Sequence, residues 1–228
     1  MANYTYTDIA KMMDHSLLQQ TLTDADLEKG CRLAREYDVA SVCIKPYGVR
    51  LAARLLNGST VAVGTTTGFP HGGHVTAIKV AEAAEAMSDG ARELDMVVNI
   101  GKVLGQDWSY VARDIEAVVK RAHAEGALVK VIFENCFLAK EHKETLCRIC
   151  GEVGADFVKT STGYGDAGAT DDDLRLMRRC APPAVQVKAA GGVRTFDRLL
   201  AVRELGVARV GATATQVILD ECMARLKG

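Results

Sequence analysis

Asp156-Phe157-Val158-Lys159-Thr160-Ser161-Thr162-Gly163 sets one lysine inside an apolar strand and follows it at once with hydroxyls and a glycine. Burying an ammonium without a partner is expensive, and the usual relief is a depressed pKa that leaves a neutral, nucleophilic amine. Taken alone, the segment reads better as a strand end whose lysine reaches water or a carboxylate. The next apolar run reverses that balance, because Val185-Gln186-Val187-Lys188-Ala189-Ala190-Gly191-Gly192 repeats the arrangement. Two lysines on successive strands would each lower the other's pKa.

Working outward, short apolar runs alternate with strong helix formers along the whole chain. Candidate strands fall at 12–14, 39–44, 60–64, 93–98, 128–133, 157–160, 185–189 and 207–211, and candidate helices at 24–37, 48–56, 74–89, 108–125, 140–151, 170–180, 195–205 and 214–226. Several helices start on a recognisable cap, such as Thr23 before Asp24 and Asp26, or Thr170 before Asp171, Asp172 and Asp173. The strands are too apolar to be half exposed, so the pattern predicts a parallel sheet covered by helices, and eight units predict closure. The expected fold is α/β, a (β/α)8 TIM barrel with a short N-terminal helix, with residues 1–228 as a single domain. "DGARELDMV", "EVGADFVKT" and "ELGVARVGA" echo one another as helix end, glycine and short strand.

The 228 residues are 48% hydrophobic and 25% charged, enough to bury a sizeable core, and the formal net charge is -1. Nothing in that balance favours nucleic acid or a membrane surface, so an anionic ligand needs a local site. No apolar run is long enough to span a bilayer and residues 1–14 carry no leader pattern, which predicts a cytoplasmic protein. The seven cysteines are odd in number and irregularly spaced, as reduced thiols would be, and Cys147 and Cys150 read as a packed pair within a helix.

In a closed parallel barrel alternate residues point inward, and chemistry sits at the C-terminal ends of the strands. If Lys159 points inward, so does Phe157; the matching sets are Gln186, Lys188 and Ala190, then Leu128, Lys130, Ile132 and Glu134, then Asp95, Val97 and Asn99. Four consecutive strands thus offer Asp95, Lys130, Lys159 and Lys188 to one interior, a carboxylate against three ammoniums. Such an excess costs several kcal/mol unless one lysine gives up its proton. The chemistry that wants this set is imine formation: a neutral amine attacks a carbonyl, a neighbouring ammonium keeps it neutral, and a carboxylate and a lysine move protons.

Glycine-rich turns follow the last strands, at Gly191-Gly192-Val193-Arg194 and Gly211-Ala212-Thr213-Ala214, with Thr162-Gly163 beside them. Barrels commonly hold phosphate there on backbone amides. His71 and His74 in "GFPHGGH" lack acidic or histidine partners at ligand spacing, so a loop turning into a helix is expected and no metal site.

At these residues the chain resembles the deoxyribose-phosphate aldolase family of class I aldolases, through "MMDHSLLQ", "VASVCIKP", "GFPHG", "ARELDMVVNIG", "LVKVIFE", "GADFVKTSTG", "VQVKAAGGVRT" and "RVGAT". The resemblance implies a lyase that reversibly cleaves 2-deoxy-D-ribose 5-phosphate to D-glyceraldehyde 3-phosphate and acetaldehyde, in deoxyribonucleoside catabolism, without metal or other cofactor. It further implies Lys159 as the Schiff-base lysine, Lys188 tuning it, Asp95 as proton donor and acceptor, and Lys130 supporting that relay. Asp14 and Cys43 would line the pocket; Thr162, Gly163, Gly191, Gly192, Arg194, Gly211 and Thr213 would surround the phosphate. A homodimer is expected on the same ground.

Two departures bear on substrate. Ala212-Thr213-Ala214 stands where the family often has two serines, and the chain ends at Gly228 without the tyrosine-bearing tail of some members. A Schiff-base aldolase for another phosphorylated aldehyde or ketose is therefore an alternative, and a barrel that binds sugar phosphate without turnover is a second.

Overall fold

The computed structural model describes residues 4–227. Its strands, in chain order, are β1 (Met13–Leu17), β2 (Ser41–Ile44), β3 (Ala62–Thr67), β4 (Glu93–Val97), β5 (Leu128–Ile132), β6 (Phe157–Lys159), β7 (Gln186–Ala190) and β8 (Arg209–Ala212). They close into one parallel barrel in sequence order, with β8 paired back onto β1. Around it lie α1 (Tyr6–Ala10), α2 (Asp24–Glu36), α3 (Val49–Leu56), α4 (Thr76–Ser88), α5 (Ile100–Leu104), α6 (Trp108–His123), α7 (Lys140–Glu152), α8 (Asp171–Cys180), α9 (Phe196–Glu204) and α10 (Thr215–Lys227). The TIM barrel and the short helix before it are as the sequence predicts.

Strand alternation divides the molecule into two interiors. Leu94, Met96, Val129, Val131, Val158, Val187 and Ala189 are fully buried in the apolar layer between sheet and helices. Each valine, leucine or methionine among them contributes ~1.5–3 kcal/mol on burial, which fixes the parity of its strand. The residues between them, Asp95, Lys130, Lys159 and Lys188, are then forced into the barrel. The caps also form: Thr23 and Asp26 exchange hydrogen bonds as a capping box, and the Thr170 side chain accepts from the Asp173 N–H.

Several boundaries differ from expectation. The first strand runs to Leu17 rather than stopping at 14, and β3 covers Ala62–Thr67 rather than 60–64. Ser16 and the threonines at 65–67 look too polar for a buried strand, but Thr65 Oγ1 donates to the Ile44 carbonyl at 2.7 Å and so meets its own need. The last strand starts at Arg209 rather than 207, and α4 starts at Thr76, beyond His74. Helix α5 is unforeseen; its signal is the Asn99 side chain, which accepts from the Lys102 N–H as an N-cap.

All seven cysteines are free thiols, with Cys147 and Cys150 both buried on α7. Among the described residues no helix is long and apolar enough to cross a membrane.

Candidate active site

Strand register brings the inward charges together. Asp95 is the partner of Lys130 across β4 and β5, and Lys159 is the partner of Lys188 across β6 and β7. Lys159 Nζ donates to Asp95 Oδ2 at 2.6 Å, Lys188 Nζ to the same oxygen at 2.7 Å, and Lys130 Nζ to Asp95 Oδ1 at 3.1 Å. All four residues singled out from the sequence therefore meet at one carboxylate.

The expected ratio of one carboxylate to three ammoniums is wrong, because three more charges lie beneath. Lys130 Nζ is 2.5 Å from Glu93 Oε2 and 3.2 Å from Asp14 Oδ2, while Lys188 Nζ is 2.5 Å from Asp14 Oδ2. Arg209 closes the layer, with Nη2 2.5 Å from Asp14 Oδ1 and 2.7 Å from Glu93 Oε2. The cluster thus sets Lys130, Lys159, Lys188 and Arg209 against Asp14, Glu93 and Asp95. Asp14, expected to line the pocket, lies under it and is fully buried. Glu93 and Arg209 escaped notice although a readable signal exists: Glu93 stands two residues before Asp95, and Arg209 two before Gly211, on the same inward parity.

This arrangement separates the lysines instead of depressing them all. Burial lowers the Lys159 pKa, and the Lys188 ammonium adds to the effect against the pull of Asp95. For Lys188 burial also opposes the charged form, but Asp14 and Asp95 together outweigh it, so its pKa is raised. The expectation that each lysine lowers the other fails at Lys188, because Asp14 was not counted. Burial works against ionised Lys130 as well, yet Asp14, Asp95 and Glu93 hold it well above the usual lysine value. Asp95 resists the same burial penalty and is held well below the usual carboxylate range by Lys130, Lys159 and Lys188. Burial, with Asp95 beside it, pushes the Cys43 thiol up to about 11.

A cavity of about 280 Å³ opens above the cluster at the C-terminal ends of the strands. Lys159, Lys188 and Cys43 form its floor, and Thr162, Gly163, Gly191, Gly192, Arg194, Gly211 and Thr213 line the side where phosphate is expected. Gly191 and Gly192 have φ of 80° and 88°, backbone that side-chain-bearing residues rarely adopt. Helix α10 begins two residues past Thr213, so its N-terminal dipole faces this end.

Thr162 differs from expectation in one respect. Its N–H donates to Glu134 Oε1 at 3.1 Å and its hydroxyl donates to Glu134 Oε2, while its Oγ1 accepts from the Tyr164 N–H at 2.9 Å. Both donors are thus occupied, so Thr162 shapes the loop, and the next residue, Gly163, lines the cavity beside it. Glu134 holds this post from a left-handed backbone with φ of 56°, at 2% exposure. Ser16, Leu18, Gln19, Gln20 and Tyr164 complete the wall. Leu18, Gln19, Gln20 and Tyr164 sit at loop positions for which strand parity gives no signal, whereas Ser16 lies on β1 two residues past Asp14; Tyr164 ties two of these loops by donating its hydroxyl to the Leu18 carbonyl at 2.7 Å.

A sequence profile described as DeoC/LacD family aldolase matches residues 9–213. The chain is 57% identical over 226 residues to a deoxyribose-phosphate aldolase of Rhodopirellula baltica, covering 99% of this chain and 94% of that one. A deoxyribose-phosphate aldolase of Thermococcus gammatolerans is 49% identical over 215 residues, 93% of this chain and 96% of the relative. Among solved structures, the tetrameric deoxyribose phosphate aldolase of Aeropyrum pernix superposes with a TM-score of 0.89 at 28% identity, covering 97% of this chain and 93% of that one.

Proposed function

The chain belongs to the DeoC/LacD family of aldolases, and on that premise we propose that it cleaves 2-deoxy-D-ribose 5-phosphate reversibly to D-glyceraldehyde 3-phosphate and acetaldehyde through an imine on Lys159. The observation that carries this is the pair of amines, Lys159 and Lys188, on one oxygen of Asp95 at the floor of a glycine-walled cavity.

The neutral Lys159 amine attacks C1 of the open-chain sugar, and the carbonyl oxygen takes a proton, with the Lys188 ammonium as the nearest donor. Loss of water gives the protonated imine. The C3 hydroxyl then loses its proton, the C2–C3 bond breaks, and the electron pair becomes the enamine, releasing glyceraldehyde phosphate as an aldehyde. Protonation at C2 and hydrolysis release acetaldehyde and regenerate the amine. Asp95 orients both amines and, with water, returns the protons, while Lys130 holds Asp95 from below. The phosphate rests against Gly163, Gly191, Gly192, Arg194, Gly211 and Thr213.

The protein works in the cytoplasm as a homodimer, in the breakdown of deoxyribonucleosides; light scattering of the purified protein at the mass of two chains supports the dimer, and four chains would replace it. Cleavage rates decide the substrate. Deoxyribose 5-phosphate should exceed unphosphorylated deoxyribose by at least about tenfold in kcat/KM, since lost anion contacts of about 1.4 kcal/mol amount to that, and it should also be cleaved faster than ketose phosphates. A faster ketose phosphate would favour the alternative aldolase, and binding without turnover a sugar-phosphate sensor.

A further inference from the structure

Arg209 belongs to the charge cluster yet lines no part of the cavity. Its Nε donates to Asp14 Oδ1 at 2.7 Å, and its Nη2 to Glu93 Oε2 at 2.7 Å and Ser41 Oγ at 3.1 Å, with the Phe157 ring against the guanidinium and Lys188 as its register partner on β7. Four cations face three carboxylates here, so the buried cluster carries one proton more than neutrality allows. A low-dielectric interior disfavours that excess, and one group must release it. The arginine cannot. Lys130 touches Asp14, Glu93 and Asp95, and Lys188 touches Asp14 and Asp95. Lys159 touches Asp95 alone, and shares that oxygen with Lys188; the Cys43 thiol is the other titratable neighbour.

We propose that Arg209 is the charge that makes Lys159 the group to give up its proton, acting as a positioning residue through the Asp14–Lys188 and Glu93–Lys130 pairs. It never meets substrate. Because it consumes carboxylate that the lysines would otherwise share, removing it leaves three lysines against three carboxylates, and Lys159 keeps its proton. This rests on Lys159 being the imine-forming amine only for its bearing on catalysis; the charge balance itself can be read without turnover.

Trace acylation of the intact protein at graded pH, followed as label on the Lys159 peptide, titrates that amine directly. Arg209→Gln should move the titration up by about one pH unit or more. Labelling below the midpoint would then slow by about tenfold. Arg209→Lys, which keeps the charge and loses the fork, should leave the midpoint in place. Glu93→Gln should move it down, and the double variant Arg209→Gln/Glu93→Gln, which restores a single excess charge, should return it close to the parent. An unmoved midpoint in Arg209→Gln, or a double variant displaced as far as that single one, overturns the proposal. Should Arg209→Gln fail to fold, Glu93→Gln decides: a downward shift supports the charge balance, and no shift or an upward one overturns it. A protein that titrates as stated but forms no imine at Lys159 keeps this inference and loses the catalytic reading.

Discussion

Thr162 uses its amide and its hydroxyl on Glu134, so its side chain supports the loop and offers nothing to a phosphate. Thr162→Val should therefore lower kcat/KM by similar factors for phosphorylated and unphosphorylated deoxyribose, and cost about 1–3 kcal/mol of stability through the acceptor left unpaired on Glu134. A loss confined to the phosphorylated sugar in paired kinetic assays would instead make Thr162 a phosphate donor. The contrast with Lys159, Lys188, Asp95 and Lys130 explains what the sequence discloses at this scale. Those four sit within strands whose apolar neighbours fix parity, so their convergence follows from counting by twos. Thr162 and Glu134 sit beyond the strand ends, where the chain curls and counting by twos no longer applies. The place of Asp14 was likewise hidden, because a lining residue and one a layer deeper share the same parity.

At the scale of elements, the β7–α9 turn and the α4–α6 packing each rest on one identifiable constraint. A Cβ on Gly191 would come within 2.7 Å of Gly168 Cα, whereas a Cβ on Gly192 meets nothing within 4 Å, although both have positive φ. Gly191→Ala should thus cost more than the ~1 kcal/mol of backbone strain expected for Gly192→Ala, and should displace the loop carrying Gly168. Comparable thermal midpoints for the two variants would contradict this. Between α4 and α6, Lys79 Nζ donates to Asp114 Oδ2 at 2.6 Å and to the Val97 carbonyl at 2.9 Å, and both side chains are buried. Burial lowers the Lys79 pKa even beside its partner. Asp114→Ala should destabilise by about 3–5 kcal/mol in urea titration, and Lys79→Met/Asp114→Leu should recover most of it, because an unpaired buried charge costs more than none. Equal losses in the single and double variants would show that the pair itself is stabilising. Helix and strand order was legible because capping residues and apolar runs are local signals. The C-terminal reach of β1 and β3 was not, since Ser16 and Thr65 look like loop residues, and for Thr65 only the neighbouring strand supplies the acceptor, the Ile44 carbonyl.

For the whole molecule, closure depends on β1 meeting β8 and on α10 folding over that seam. His15 lies there on β1, with Nδ1 2.9 Å from Thr215 Oγ1 of α10, and burial lowers its pKa to about 4 from an ordinary 6.5. The unfolded chain therefore binds a proton that the folded protein refuses, so stability is full above pH ~6.5 and falls as pH drops toward ~4, by roughly 3 kcal/mol from this group. The depressed carboxylates of Asp14 and Asp95 lose their contribution only below about pH 3.8, the ordinary carboxylate value, so the windows are distinct. Thermal midpoints of His15→Asn between pH 7 and pH 4.5 should vary less than those of the parent; equal slopes would contradict that assignment. The barrel as a whole was legible because eight apolar runs with intervening helices admit few closures, whereas its net interior charge depends on residues four strands apart. The most direct measurement of the central claim is borohydride reduction in the presence of acetaldehyde, read by peptide mass. An ethyl group on Lys159, absent in Lys159→Ala, is the expected result; no adduct, or an adduct on Lys188 or another lysine alone, would contradict it.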